Sequence, residues 1–102
     1  MKLEQFLIEN KADMLTNLTE IVADLKATMA SEPEAYTECG NDEPSIDVRL
    51  CIDLGDRHHG WIFRTGLSDY DQYHSEYCAA SSIGLDTNTE ELLEELINQL
   101  GD

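Results

Sequence analysis

Ile46-Asp47-Val48-Arg49-Leu50-Cys51-Ile52-Asp53-Leu54 alternates apolar and polar residues without a break. A period of two puts all five aliphatic side chains on one side of an extended chain. Such a strand has one face on a core and one polar face, as in an antiparallel sheet. Gly55-Asp56-Arg57-His58-His59-Gly60 then reads as a hairpin loop that returns through Trp61-Ile62-Phe63-Arg64. Residues 67–77, LSDYDQYHSEY, fit either a helical turn, with Tyr70, Tyr73 and Tyr77 at helical spacing, or an irregular loop. A third strand is predicted over about 76–83, ended by Gly84.

Helices flank this sheet in the chain. Over residues 3–29, Leu7, Met14 and Ile21 repeat every seven positions, as do Leu18 and Leu25, and Phe6, Leu15, Val22 and Met29 widen the stripe. Neither Gly nor Pro interrupts it. At 1.5 Å per residue this helix spans about 40 Å, longer than the core of a domain this size. It must therefore either project beyond the sheet or pair with a second subunit. Residues 30–45 read as a loop punctuated by Pro33 and Pro44. Near the end, Thr87-Asn88-Thr89-Glu90 matches a capping box, and Leu92, Leu93, Leu96, Ile97 and Leu100 form the apolar stripe of a last helix. The predicted fold class is α+β in the order α-β-β-β-α. A three-stranded, mostly antiparallel sheet carries both helices on one face, as a single domain over residues 1–102.

The charge is the unusual feature. Asp and Glu number 22 against 6 Lys and Arg, a formal net charge of -16. A magnitude of about 2–8 suffices to keep a small domain soluble, and the excess opposes compaction by self-repulsion. Such a field disfavours direct contact with nucleic acid or an anionic membrane and attracts cationic surfaces. Acidity alone also fits a salt-adapted protein. Cys39, Cys51 and Cys78 are odd in number and lack metal-motif spacing, which favours reduced thiols in a cytosolic protein. Glu4 and Glu9 break the apolar run expected of a signal peptide, and no stretch approaches the roughly 18 apolar residues of a membrane span. The expected location is the cytoplasm, that of the host cell if the gene is carried by a phage.

The carboxylates are patterned. Glu9, Asp13, Glu20 and Asp24 lie opposite the Leu7/Met14/Ile21 stripe. Glu91, Glu94 and Glu95 share the face of the last helix turned away from its leucines. Glu90/Glu94 and Glu91/Glu95 are like-charge pairs four residues apart, each costing a few tenths of a kcal/mol. A face shaped for stability alone would place Lys four residues after each Glu. Instead, no Lys or Arg occurs from Thr65 to Asp102. Tyr70 and Tyr73 stand among Asp69 and Asp71, a combination that anchors Arg through ring-face contact and ion pairing. The expected partner-binding set is Asp69, Tyr70, Asp71, Tyr73, Glu76, Asp86, Glu90, Glu91, Glu94 and Glu95.

In size, charge and helix-plus-small-sheet composition, the chain resembles the small acidic proteins of bacteriophages and mobile elements, among them DNA mimics and anti-CRISPR inhibitors. The resemblance is one of type over the whole chain and carries no diagnostic motif. It implies a non-enzymatic inhibitor that docks on a basic, nucleic-acid-binding protein in place of nucleic acid. Two alternatives stay open: a homodimeric interaction module paired through the N-terminal helix, and an immunity protein against a toxin nuclease.

Catalytic and metal readings are weaker. His74-x3-Cys78 could place two ligands on one helical face, but His58-His59 cannot easily aim both rings at one ion. Asp69-x-Asp71 with Glu76 lacks the Gly at the sixth position of a calcium loop, where His74 stands. No thiol has a paired base in view, and nothing singles out one carboxylate as an acid or base. No catalytic residue, metal ligand or cofactor is expected.

Overall fold

The computed structural model describes residues 2–37, 43–55, 57–65 and 76–101. It has helix α1 (Leu3–Ser31), a short 3-10 turn (Pro33–Tyr36), strands β1 (Ile46–Gly55), β2 (His58–Thr65) and β3 (Tyr77–Ile83), and helix α2 (Thr89–Gly101). The fold is α+β, as the periodicities predict.

The alternating segment is the central strand. The sheet order is β2-β1-β3, and both neighbours run antiparallel to β1. Val48, Leu50, Ile52 and Leu54 are buried together with Phe63, Ala79 and Ile83 from the flanking strands. Against this face lie Phe6, Leu7, Met14, Leu18 and Val22 of α1 and Leu92, Leu93, Leu96 and Leu100 of α2. Each such side chain contributes about 1.5–3 kcal/mol on full burial. Trp61 and Phe63 share the core side of β2, as their spacing requires, and meet edge to face at 5.3 Å between ring centroids.

The two helices run antiparallel. Leu3 and Leu7 of α1 line a groove with Ile97 and Leu100 at the far end of α2. Thr19 Oγ1 lies 3.3 Å from Thr89 Oγ1 at the near end, and Lys26 Nζ donates to the Thr87 carbonyl at 2.7 Å. With 29 residues at about 1.5 Å each, α1 matches the molecule's longest extent of 43 Å. Its C-terminal part therefore runs on past α2; of its apolar stripe, Phe6, Leu7, Met14, Leu18, Val22 and Met29 are buried within the chain and Leu15, Ile21 and Leu25 partly so. Among the described residues, no helix is long and apolar enough to cross a membrane.

Three boundaries differ from the sequence reading. The α1 helix continues to Ser31, where the Glu32 N–H closes the last turn on the Thr28 carbonyl at 2.9 Å. The return strand starts at His58, because Gly55 pairs directly with His58 and leaves a two-residue connection. The Asp53 carboxylate accepts from the Gly55 N–H at 2.9 Å at this corner. The capping box is displaced by one residue. Asn88 Oδ1 accepts from the backbone N–H of Glu90 (3.0 Å) and Glu91 (3.4 Å), so Asn88 is the cap of α2. Thr87 Oγ1 is engaged instead with the backbone of Gly84, accepting from its N–H at 2.9 Å and donating to its carbonyl at 2.8 Å.

Candidate functional site

The face of α2 follows from its sequence at 100° per residue. Leu92, Leu96, Leu100, Leu93 and Ile97 fill one arc of about 140°, and Glu90, Glu94, Asn98, Glu91 and Glu95 fill the opposite one. All four of these glutamates are exposed, while the four leucines are buried. Glu90 and Glu91 stand in the first turn, where the unpaired N–H groups favour negative charge. Glu94 and Glu95 lie a turn further on and gain nothing from that dipole.

Two contacts hold this face outward. Ser81 Oγ on β3 donates to Glu95 Oε2 at 3.2 Å. Gln99 pairs through its amide with the Ala80 backbone, at 3.2 Å and 3.0 Å. The basic group that reaches this end of α2, Lys26, donates to the Thr87 carbonyl rather than to a carboxylate. That contact neutralises none of the glutamates.

The neighbouring helix extends the acidic surface. Glu9, Asp13, Glu20 and Asp24 of α1 are all exposed, as is Asp86 in the turn before α2. The Thr19–Thr89 contact places the acidic positions Glu20 and Glu90 each one residue from the point where the helices touch.

The expected set divides in three. Glu90, Glu91, Glu94 and Glu95 line the start and middle of α2, with Asp86 in the turn just before it. Glu76 stands apart from them, exposed at the beginning of β3. A Cβ built on Gly55 would come 3.9 Å from Glu76 Oε1 and 3.1 Å from Asp53 Oδ1, so Glu76 belongs to the corner between β1 and β2. The length of β3, about 20 Å at 3.3 Å per residue, separates it from Asp86. Asp69, Tyr70, Asp71 and Tyr73 lie outside the described residues, as do His74, Cys39 and the middle of the 30–45 loop.

The polar face of the sheet carries residues that strand patterning left unassigned. Arg49 stands directly opposite Arg64, Asp47 opposite Ser82, and Cys51 opposite Cys78. Asp47 Oδ1 accepts from Ser82 Oγ at 2.6 Å. The arginine pair brings two cationic side chains to neighbouring positions on this face. The third relation, Cys51 with Cys78, needed the register of β3, which no local sequence signal contains. Among the described residues, no group of three His, Cys, Asp or Glu side chains is placed to hold a metal ion.

No protein-family model, no curated protein and no solved structure matches this chain.

Proposed function

We propose that the protein is a non-enzymatic acidic binding protein that docks its α2 carboxylates on a basic, nucleic-acid-binding protein and thereby inhibits it. The observation that carries this reading is the exposed Glu90/Glu91/Glu94/Glu95 face. Its like-charge pairs oppose the stability of the helix, and no Lys or Arg follows them in the sequence. Duplex DNA presents one negative charge per about 1.7 Å of axis, and the proteins that read it answer with Lys and Arg. A rigid row of glutamates meets the same cations. An inhibitor of a DNA-binding defence enzyme, of the anti-CRISPR kind, is the form this takes if a phage or mobile element encodes the chain.

Charge of this sign accelerates encounter with a basic surface and makes binding salt-sensitive, since the screening length falls to about 10 Å at 0.1 M. The test is capture from a cell lysate on the immobilised chain at ~50 mM salt, with elution to ~500 mM. A variant with Glu90, Glu91, Glu94 and Glu95 all changed to Gln serves as control. The reading expects nucleic-acid-binding proteins that elute within the gradient, are released by added duplex DNA and are not captured by the Gln variant. Proteins captured equally by the variant, or indifferent to salt, would overturn it.

A further inference from the structure

We infer that Cys51 and Cys78 form a thiol–disulfide exchange site for a small disulfide of the glutathione class. The two residues are direct cross-strand partners on β1 and β3, and their sulfurs lie 3.4 Å apart as thiols. Their backbone position follows from a neighbour. Ala80 turns both its N–H and its C=O outward to Gln99, so the Arg49–Ala80 pair is a non-hydrogen-bonded one. Ladder pairs alternate, which gives Cys51–Cys78, two residues along, the same character. Such pairs have Cα atoms about 4.5 Å apart, inside the window of about 4.4–6.8 Å that a disulfide bridges without backbone movement.

Burial assigns different roles to the two sulfurs. Cys78 is exposed, whereas Cys51 is 3% exposed and lies outside the core cluster behind the helices. The Cys78 thiolate attacks one sulfur of oxidised glutathione, the S–S bond of the oxidant breaks, and one glutathione thiolate leaves and takes up a proton. The Cys51 thiolate then attacks the Cys78 sulfur of the mixed disulfide, and the second glutathione leaves in the same way. Two electrons pass from the protein dithiol to the oxidant, and excess reduced glutathione reverses both steps. An accessible thiol beside a resolving one is the arrangement that stops oxidation at a reversible stage. This site is independent of the acidic face.

The test uses the full chain carrying Cys39→Ser, equilibrated anaerobically in mixtures of oxidised and reduced glutathione. The expected product is a monomer lighter by two hydrogens with a Cys51–Cys78 linked peptide. It should revert fully with reductant and melt about 10 °C or more above the dithiol form, because the link constrains the unfolded chain. Adding Cys51→Ser should trap one glutathionyl group on Cys78. Adding Cys78→Ser should leave Cys51 unmodified until denaturant is added. If the Cys39→Ser protein stops at the mixed disulfide, forms only intermolecular links, or stays a dithiol where Cys51→Ser is glutathionylated, the proposal is wrong. Should either second variant fail to fold by circular dichroism, the mass and peptide link of the Cys39→Ser protein decide alone.

Discussion

The side-chain amide of Gln99 on α2 closes on the backbone of Ala80 in β3: Oε1 accepts from the Ala80 N–H at 3.2 Å, and Nε2 donates to its carbonyl at 3.0 Å. Because β3 is an outer strand of the sheet, these two groups face away from β1. An edge with open N–H and C=O groups is a template for pairing with another chain. Gln99 fills one repeat of it with a side chain and, with the Ser81–Glu95 contact, fixes how α2 is rotated on the sheet. That rotation turns Glu90, Glu91 and Glu94 outward.

Gln99→Ala removes both bonds at once. At about 0.5–1.5 kcal/mol for each intramolecular hydrogen bond, tempered by exposure, the loss should be about 1 kcal/mol. A domain of this size registers that as a melting point lowered by about 4–8 °C. Thermal denaturation followed by circular dichroism measures it. A variant that melts with the parent protein would show that the clamp adds nothing.

Asn88 and Thr87 separate by mutation. Asn88→Ala should cost about 1 kcal/mol by leaving the first-turn N–H groups of α2 without their cap, and Asn88→Asp should keep most of the stability. Thr87→Ser should be mild, because the hydroxyl that bonds Gly84 is retained. Urea denaturation of the three variants gives the order. A loss for Asn88→Ala no larger than that for Thr87→Ser would show that Asn88 does not cap α2.

Glu94→Lys should stabilise the fold while weakening the proposed docking. It converts the Glu90/Glu94 repulsion into an attraction with Glu N-terminal to Lys, a gain of about 0.5–1 kcal/mol over the parent. The same change removes one carboxylate from the acidic face. The paired measurement is a melting curve and the salt-gradient capture on one sample. Higher stability with undiminished capture would separate the charge of α2 from partner binding.

Leu18 has no exposed surface and packs inside the chain. Leu18→Ala should therefore cost about 2–5 kcal/mol, and Leu18→Glu should unfold the protein. Circular dichroism distinguishes this from the loss of a dimer interface, which would leave a folded monomer. A folded, monomeric Leu18→Glu protein would contradict the burial of Leu18 in the shared core.

Added salt should raise the melting temperature. At a net charge of -16, mutual repulsion among carboxylates opposes the folded state, and screening relieves it. A melting series across ~0.05 to ~0.5 M sodium chloride checks the sign. A flat series would mean that the carboxylates lie too far apart to repel measurably.

What the sequence alone determined is what periodicity carries. The alternation from Ile46 to Leu54 marked a strand with one buried face, and the 3.6-residue stripes of residues 3–29 and 92–100 marked the faces the helices bury. The glutamate face of α2 was legible for the same reason, since the residues opposite a buried stripe are exposed. Strand order and register were not legible. Three short strands can be stacked in several orders, and a shift of β3 along β1 changes which residues meet without changing any local pattern. Only the folded chain set β1 in the middle, Cys51 against Cys78, Arg49 against Arg64, and Gln99 on the edge at Ala80. It also carried Glu76 to the Asp53 corner, away from the α2 glutamates with which sequence proximity had grouped it. These relations join residues 15 to 27 positions apart or lie across a strand's length, and they are decided by the burial of the shared core rather than by any segment's own preference.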